Sequence, residues 1–269
     1  MKRKGSPLEH ETIKKPYPLF GTGVYVTTYE SIEQNTPEWL DIRNEMDLNS
    51  SSILDYIGAS VVGKKKTRET DLYDPKSKVV LKRKNEWIEA PPSEFLQRIF
   101  QDGHEGEAKV KELIPEIKTW PYAVVSFTGD IEFSVGVSLD GYVLYKGIYV
   151  PVEIKSRSRT CKSKWSGPAL THKHQMMWQA ITTGSEWATL IRYEETCMIG
   201  TIYQLDTVQY ITDFKQAMLD IHENVLIKSP EELVKFDKYI LSSVDGIHSY
   251  CEGVDECEYM LYSLLEYIK

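Results

Sequence analysis

The chain has 269 residues, 41% of them hydrophobic and 27% charged, and a net charge of −8, a composition that fits a soluble globular protein with a substantial core. No apolar run approaches the ~20 residues of a membrane span, and no signal peptide is visible. Four cysteines (Cys161, Cys197, Cys251, Cys257) form no CxxC pair and no zinc spacing, which points to an intracellular, reducing compartment. The charge is unevenly spread: residues 206–269 hold 13 acids and 5 bases, residues 60–87 hold nine Lys/Arg and four acids, and residues 146–174 hold seven and one. A locally basic surface is therefore compatible with the acidic total, and nucleic acid is not excluded as a partner.

Residues 1–20 read as a flexible tail, and Lys2-Arg3-Lys4 is too short for a nuclear signal. Gly21-Thr22-Gly23 lacks the third glycine of a dinucleotide loop. Thr36-Pro37-Glu38 opens a helix, with an N-cap, a proline at the first position and an early acid; it runs to about Met46 and carries Arg43. A second helix opens at Ser50-Ser51-Ser52 and stops at Gly58. An arginine beside hydroxyls and helix N–H groups would make a phosphate pocket, while simple capping next to a surface arginine accounts for the same residues. A lysine-rich insertion at about 60–92 follows. Ser93 then caps a helix with Phe95, Leu96, Ile99, Phe100, Val110, Leu113 and Ile114 at helical spacing. Gly103 and Gly106 interrupt this helix and suggest close approach by backbone or ligand. His104-Glu105 does not begin a zinc-protease motif, because Ala108 stands where the second histidine would be.

Tyr122–Thr128 and Ile131–Val137 read as strands joined by Gly129-Asp130. From Val137 to Ser156 the chain reads VSLDGYVLYKGIYVPVEIKS. A Lys146-Gly147 turn would fold it into a hairpin with Tyr145 opposite Ile148. The same register sets Asp140 opposite Glu153, with Cβ atoms about 4.5–5.5 Å apart, and Lys155 on the same face. Facing carboxylates repel unless a cation lies between them, and a hard divalent ion such as Mg²⁺ favours oxygen ligands of this kind. A surface hairpin with solvated acids has the same spacing; the mostly apolar strand around Glu153 favours the metal reading. Beyond it, Arg157, Lys162 and Lys164 form a basic loop ending in Trp165, suited to phosphate contact and stacking. His172–Thr183 reads as a helix with Gln175 and Gln179 one turn apart. His172 and His174, two residues apart, point away from each other and make a poor ligand pair. Trp187–Tyr193 and Met198–Gln204 read as strands. The remaining residues, 206–269, read as an acidic helical extension packed on a 21–205 core, bracing it or docking a partner.

Asp140 followed by Glu153-Ile154-Lys155 resembles the signature of the PD-(D/E)XK nuclease superfamily, with Leu139 where a proline often precedes the Asp. Glu38-Trp39-Leu40-Asp41-Ile42-Arg43, then Asn49-Ser50-Ser51-Ser52-Ile53 and Gly58, is similar to the opening motif of the YqaJ-like viral recombinases, the phage lambda exonuclease family. Gln175-Met176-Met177-Trp178-Gln179 before Thr183-Gly184 matches that family's Gln-rich helix, so the resemblance spans roughly 36–204. It implies an α/β fold with a mixed central β-sheet flanked by helices, a restriction-endonuclease-like core with extra terminal helices. It also implies a Mg²⁺-dependent deoxyribonuclease, with Mn²⁺ able to substitute and two ions per site, that degrades duplex ends 5′→3′ and leaves 3′ overhangs. Asp140, Glu153, Glu105 and the Ile154 carbonyl would hold metal, Lys155 would orient or deprotonate water, and Gln175 would complete the site. Glu107 is expected to face solvent. Arg43, Ser51 and Ser50 would take a 5′ phosphate, and Lys64, Lys65, Lys66 and Arg68 would lie near the DNA. The implied partners are duplex DNA with free ends and a single-strand annealing or recombination protein, in a host cytoplasm or nucleus. An endonuclease acting on DNA or RNA, or a non-catalytic DNA-binding recombination factor, are the alternatives.

Overall fold

The computed structural model describes residues 12–16, 23–29, 32–34, 36–57, 61–62, 65–66, 78–84, 86–88, 90–156, 168–194, 197–229, 232, 248–252, 261, 265–266 and 268. In chain order these form β1 (Thr12–Pro16), β2 (Val24–Tyr29), α1 (Pro37–Glu45) and β3 (Leu48–Asn49), then a 3₁₀ turn (Ser50–Ser52) that leads into α2 (Ile53–Ile57). Next come β4 (Val61–Val62), β5 (Lys65–Lys66), α3 (Lys78–Arg83), α4 (Glu94–Leu113), β6 (Tyr122–Phe127), β7 (Phe133–Val137), β8 (Gly141–Tyr145) and β9 (Ile148–Ser156). The chain continues through α5 (Leu170–Thr183), β10 (Trp187–Glu194), β11 (Cys197–Gln204), α6 (Thr207–Ile221) with a π-helical turn (His222–Leu226), and β12 (His248–Glu252).

The architecture is α/β, with mixed sheets flanked by helices, but there are two five-stranded sheets where the sequence predicts one. Their orders are β1-β2-β6-β7-β3 and β12-β11-β10-β9-β8, and β4-β5 is a separate ribbon. The split has a simple cause. β7 pairs antiparallel with β6 on one edge and parallel with β3 on the other, so no edge remains for β8. The chain leaves the first sheet and starts the second within Ser138-Leu139-Asp140.

Two further expectations are corrected. Thr12–Pro16, within the expected tail, pairs antiparallel with β2. His248–Glu252, within the expected helical extension, is a strand that pairs antiparallel with β11. The helix expected from Thr207 is present as α6.

Side-chain alternation assigns β6 to two cores at once. Ala123, Val125 and Phe127 join a cluster with α5, α6 and residues of β10 and β11. Tyr122 and Val124 instead meet Trp39 and Ile42 of α1, whose N-terminus is fixed by Thr36 Oγ1 accepting from Trp39 N at 3.3 Å. A third cluster lies on the opposite face of the second sheet and joins Val143, Tyr145, Val150, Val152 and Ile154 to Val110 and Ile114 at the α4 end. α5 therefore packs on one face of β9 and β10 while α4 packs on the other. The N-terminal half of α4 departs from its expected role. Phe95, Leu96, Ile99 and Phe100 are exposed among the described residues, because no described element packs there.

Candidate active site

The β8–β9 turn is of type I′. Lys146 has φ 48° and Gly147 φ 82°, the left-handed pair that matches the twist of a two-residue hairpin. Tyr145 lies opposite Ile148, and the ladder runs to Gly141 opposite Val152. One step further Asp140 comes beside Glu153, at the junction between the two sheets. Asp140 is anchored there by Oδ2 accepting from Ile154 N at 2.7 Å. The adjacent carbonyls of the junction are held as well. Gln34 Nε2 donates to Leu139 O at 2.9 Å, and Gln179 Nε2 donates to Ser138 O at 3.5 Å.

Glu153 is 1% exposed, and burial of a charge at that depth requires partners. Lys155 Nζ forms an ion pair with its Oε1, and Gln179 Nε2 donates to its Oε2. Asp140 is pushed up to about 6, first by burial and then by the negative charge of Glu153, with Lys155 and the Ile154 N–H opposing. Burial works against the Lys155 ammonium, but Glu153 and Asp140 outweigh it and raise the group above its ordinary value. Without metal, Lys155 is therefore a fixed cation and hydrogen-bond donor, not a base.

α4 brings a third acid near the cluster, and it is not the one expected. Glu105 is exposed, with Oε1 accepting from Gln101 Nε2 at 2.9 Å. Glu107 is half-buried and pushed up by burial and then by Asp140, while Lys111, its ion-pair partner at 2.5 Å, opposes. The helix phase explains the exchange. A Cβ on Gly106 would lie 2.2 Å from Ser156 Cβ, so position 106 must face β9. Val110, one turn on, is buried on the same side, and Glu107 borders this face while Glu105 turns away. Gly106 was the available signal in the sequence. A Cβ on Gly103, by contrast, would meet nothing within 4 Å, so close approach applies to only one of the two glycines.

On α5, Gln179 makes the contact with Glu153, and Gln175 is half-exposed one turn earlier. The two histidines do point apart. His174 Nδ1 lies 2.7 Å from Tyr210 Oη on α6, and burial followed by Lys173 depresses it to about 4. His172 is also depressed to about 4, by burial and then by Lys155, so it stands toward the carboxylate cluster as a neutral ring.

Arg43 and Ser51, on separate elements, are brought together: Arg43 Nη2 donates to Ser51 Oγ at 2.8 Å. The guanidinium lies 4.8 Å from the centroid of the Trp39 ring. Burial lowers the Arg43 pKa, and nearby Tyr122 opposes the shift; an arginine so placed remains a cation. Ser51 is exposed, Ser50 is buried, and Ser52 Oγ donates to Asn49 O at 3.0 Å. The serine run is one 3₁₀ turn ahead of a five-residue helix, so the polar groups beside Arg43 are side-chain hydroxyls more than a helix dipole. The turn packs against α5 and β7, the elements that also flank the carboxylate cluster. Arg157, Lys162, Lys164, Lys64 and Arg68 lie outside the described residues, while Lys65 and Lys66 form β5.

No protein-family model and no curated protein matches the chain. Among solved structures it is similar to an alkaline exonuclease, LHK-Exo, from Laribacter hongkongensis, at 18% identity and a TM-score of 0.42, covering 70% of this chain and 92% of that one. A structure of LHK-Exo in complex with dAMP gives 18% identity and a TM-score of 0.40, over 70% and 97% of the two chains. A protein named SSO0001 gives 15% identity and a TM-score of 0.39, over 68% and 77%.

Among the described residues, no group of three or more His, Cys, Asp or Glu side chains could hold a metal ion. Asp140 and Glu153 are two, and Mg²⁺ is commonly bound through one or two carboxylates with water and phosphate oxygens in the other positions. The pair fits such an ion by its chemistry, two carboxylates side by side at the end of the hairpin, where burial first and then the charge of Glu153 make Asp140 harder to ionise.

Proposed function

We propose that the protein is a metal-dependent deoxyribonuclease that degrades one strand of double-stranded DNA from a free end in the 5′→3′ direction, leaving a 3′ overhang. The observation that supports this most is the clustering of Asp140, Glu153 and Lys155 at the open end of the β8–β9 hairpin. Asp140, Glu153 and the Ile154 main-chain carbonyl would hold Mg²⁺ or Mn²⁺. When bound, the metal polarises the scissile phosphate and makes water a better nucleophile at neutral pH.

The chain's own residues do the rest. Gln179 and Lys155 fix the Glu153 carboxylate, and Ile154 N–H fixes Asp140, so both are set before substrate arrives. Lys155, a cation in the metal-free cluster, would donate hydrogen bonds to the attacking water or to the charge that develops on the phosphate. Arg43 and Ser51 would take the terminal 5′ phosphate through charge-assisted hydrogen bonds, which sets how far the strand end reaches past the cluster.

Digestion of a linear duplex labelled at one 5′ end, with a closed circle beside it, tests the reading. Labelled mononucleotide released from the linear duplex in Mg²⁺ but not EDTA, with the circle spared, is the expected result. Arg43→Ala should slow cutting of a 5′-phosphorylated end much more than cutting of a 5′-hydroxyl end. Cutting of the circle would replace the exonuclease reading with an endonuclease, and no metal-dependent cutting at all would overturn both.

A further inference from the structure

The face of the β8–β9 hairpin that carries Asp140 and Glu153 does not end with them. Alternation puts Tyr142 and Leu144 of β8, and Tyr149 and Pro151 of β9, on the same side. The paired positions are Tyr142 opposite Pro151 and Leu144 opposite Tyr149. Each two-residue step is about 6.8 Å, so the first pair lies about that far from the carboxylates and the second about twice as far. Trp120 completes the surface. Its ring is 5.1 Å from Tyr142 and 5.3 Å from Tyr149, and those two are 5.4 Å apart, all edge to face. Reciprocal backbone hydrogen bonds of 2.8 Å between Lys118 and Tyr142 hold the Trp120 segment against β8.

Trp120 also packs against the main core cluster, but Tyr142 and Tyr149 are not needed to close the core behind them. Val143, Tyr145, Val150 and Val152 do that from the other face, while Leu144 is 59% and Tyr149 42% exposed. A hairpin face turned to water is ordinarily polar. This one is aromatic, and residues 141–152 contain no Asp or Glu. Lys118 and Lys146 are exposed at its margins.

We propose that Trp120, Tyr142 and Tyr149 form a stacking platform for the unpaired bases of a nucleic-acid strand that crosses the candidate active site. The proposal rests on the nuclease reading for why a strand is there. An unpaired strand is the occupant that fits: bases stack on aromatic rings whatever their sequence, whereas a duplex buries its base faces in its own stack. The platform is continuous with the carboxylate pair along the same two strands, and the flanking lysines suit a polyanion.

Binding is measured by anisotropy of a labelled single-stranded 12-mer, using the full chain in EDTA so that nothing is cut. Tyr149→Ala should weaken binding by about 5- to 150-fold, the range for one lost base–ring stack. Tyr149→Phe should bind like the wild type, and Tyr149→Leu, which keeps apolar bulk without a ring, should behave like the alanine variant. Abasic sites in the oligonucleotide should weaken the wild type more than Tyr149→Ala, which keeps only two of the three rings. The proposal is overturned if the wild type binds no single strand, if Tyr149→Leu binds like the wild type, or if abasic sites weaken wild type and variant alike. It is also overturned if sedimentation shows Tyr149→Ala dissociating an oligomer with strand binding intact, which would make this face a contact between copies. A wild type that binds the strand but never cuts duplex ends would leave the platform standing and sink the nuclease reading.

Discussion

Asp140 is placed where its charge is costly to the fold, and that cost is measurable. Its carboxyl stands at about 6 instead of 3.8, so it is harder to ionise in the folded chain than in the unfolded one. The group's stabilising contribution is therefore complete below about pH 4 and is lost as pH rises through about 6. Asn at this position is neutral throughout and can still accept from Ile154 N–H. In metal-free protein at pH 8, Asp140→Asn should raise stability by about 3 kcal/mol, a gain that disappears near pH 4 and, on the proposed function, comes with loss of cleavage. Thermal melts across that pH range check it, and no gain at pH 8 would mean that Asp140 ionises as readily in the folded chain as in the unfolded one. Glu105 and Glu107 of α4 offer a second contrast. Glu107 shares the field of Asp140 and Lys155, while Glu105 is exposed against Gln101. Glu107→Gln should cut the rate of duplex digestion by at least about tenfold, a transition-state loss of about 1.4 kcal/mol, and Glu105→Gln should leave it within about twofold. The opposite ranking would restore the role that sequence resemblance gives Glu105.

At the scale of elements, α4 meets β9 through a single missing side chain. Alanine at Gly106 would put Cβ 2.2 Å from Ser156 Cβ and 2.6 Å from its Oγ, so helix and strand must separate. Gly106→Ala should cost about 1–3 kcal/mol and shift Glu107 enough to reduce activity. Gly103→Ala, with nothing near the new methyl group, should instead stabilise by up to about 1 kcal/mol. Urea titrations of both variants give the comparison, and equal effects would refute the close contact. What the sequence reveals follows the same division between local and distant. The hairpin register is legible because Lys146-Gly147 sets it within a few residues, and the Arg43–Ser51 meeting because α1 and the serine turn adjoin in the chain. β3 spans two residues and carries no periodicity. β1, with two lysines and a proline in TIKKP, reads as tail because edge strands are built of such residues. β12 is another short edge strand in an acidic stretch. The phase choices, Glu107 over Glu105 and Gln179 over Gln175, depend on which helix face meets the sheet, and that is fixed by packing partners distant in sequence.

At the scale of the whole molecule, the two sheets are separate in hydrogen bonding but joined by one aromatic core. Trp178 of α5 is fully buried, with ring centroids 6.1 Å from Phe127 of β6, 5.7 Å from Tyr210 and 5.0 Å from Phe214 of α6. Phe127 stacks on Phe133 of β7 at 4.3 Å, and Ala188, Leu190 and Tyr203 of the second sheet close the same cluster. Neither sheet can lose its packing without exposing residues of the other. Unfolding in urea should then be a single transition, with far-UV circular dichroism and tryptophan fluorescence sharing one midpoint. Trp178→Ala should cost about 3–5 kcal/mol and move the circular dichroism midpoint and the loss of the proposed nuclease activity together. The functional link is direct: Gln179, the next residue on α5, holds Glu153, and Asp140 lies in the three-residue passage between the sheets. Were the sheets independent, the variant would leave a second transition at the original midpoint, with activity surviving the first. A single shifted transition would mean that the carboxylate cluster lasts only as long as the whole core does.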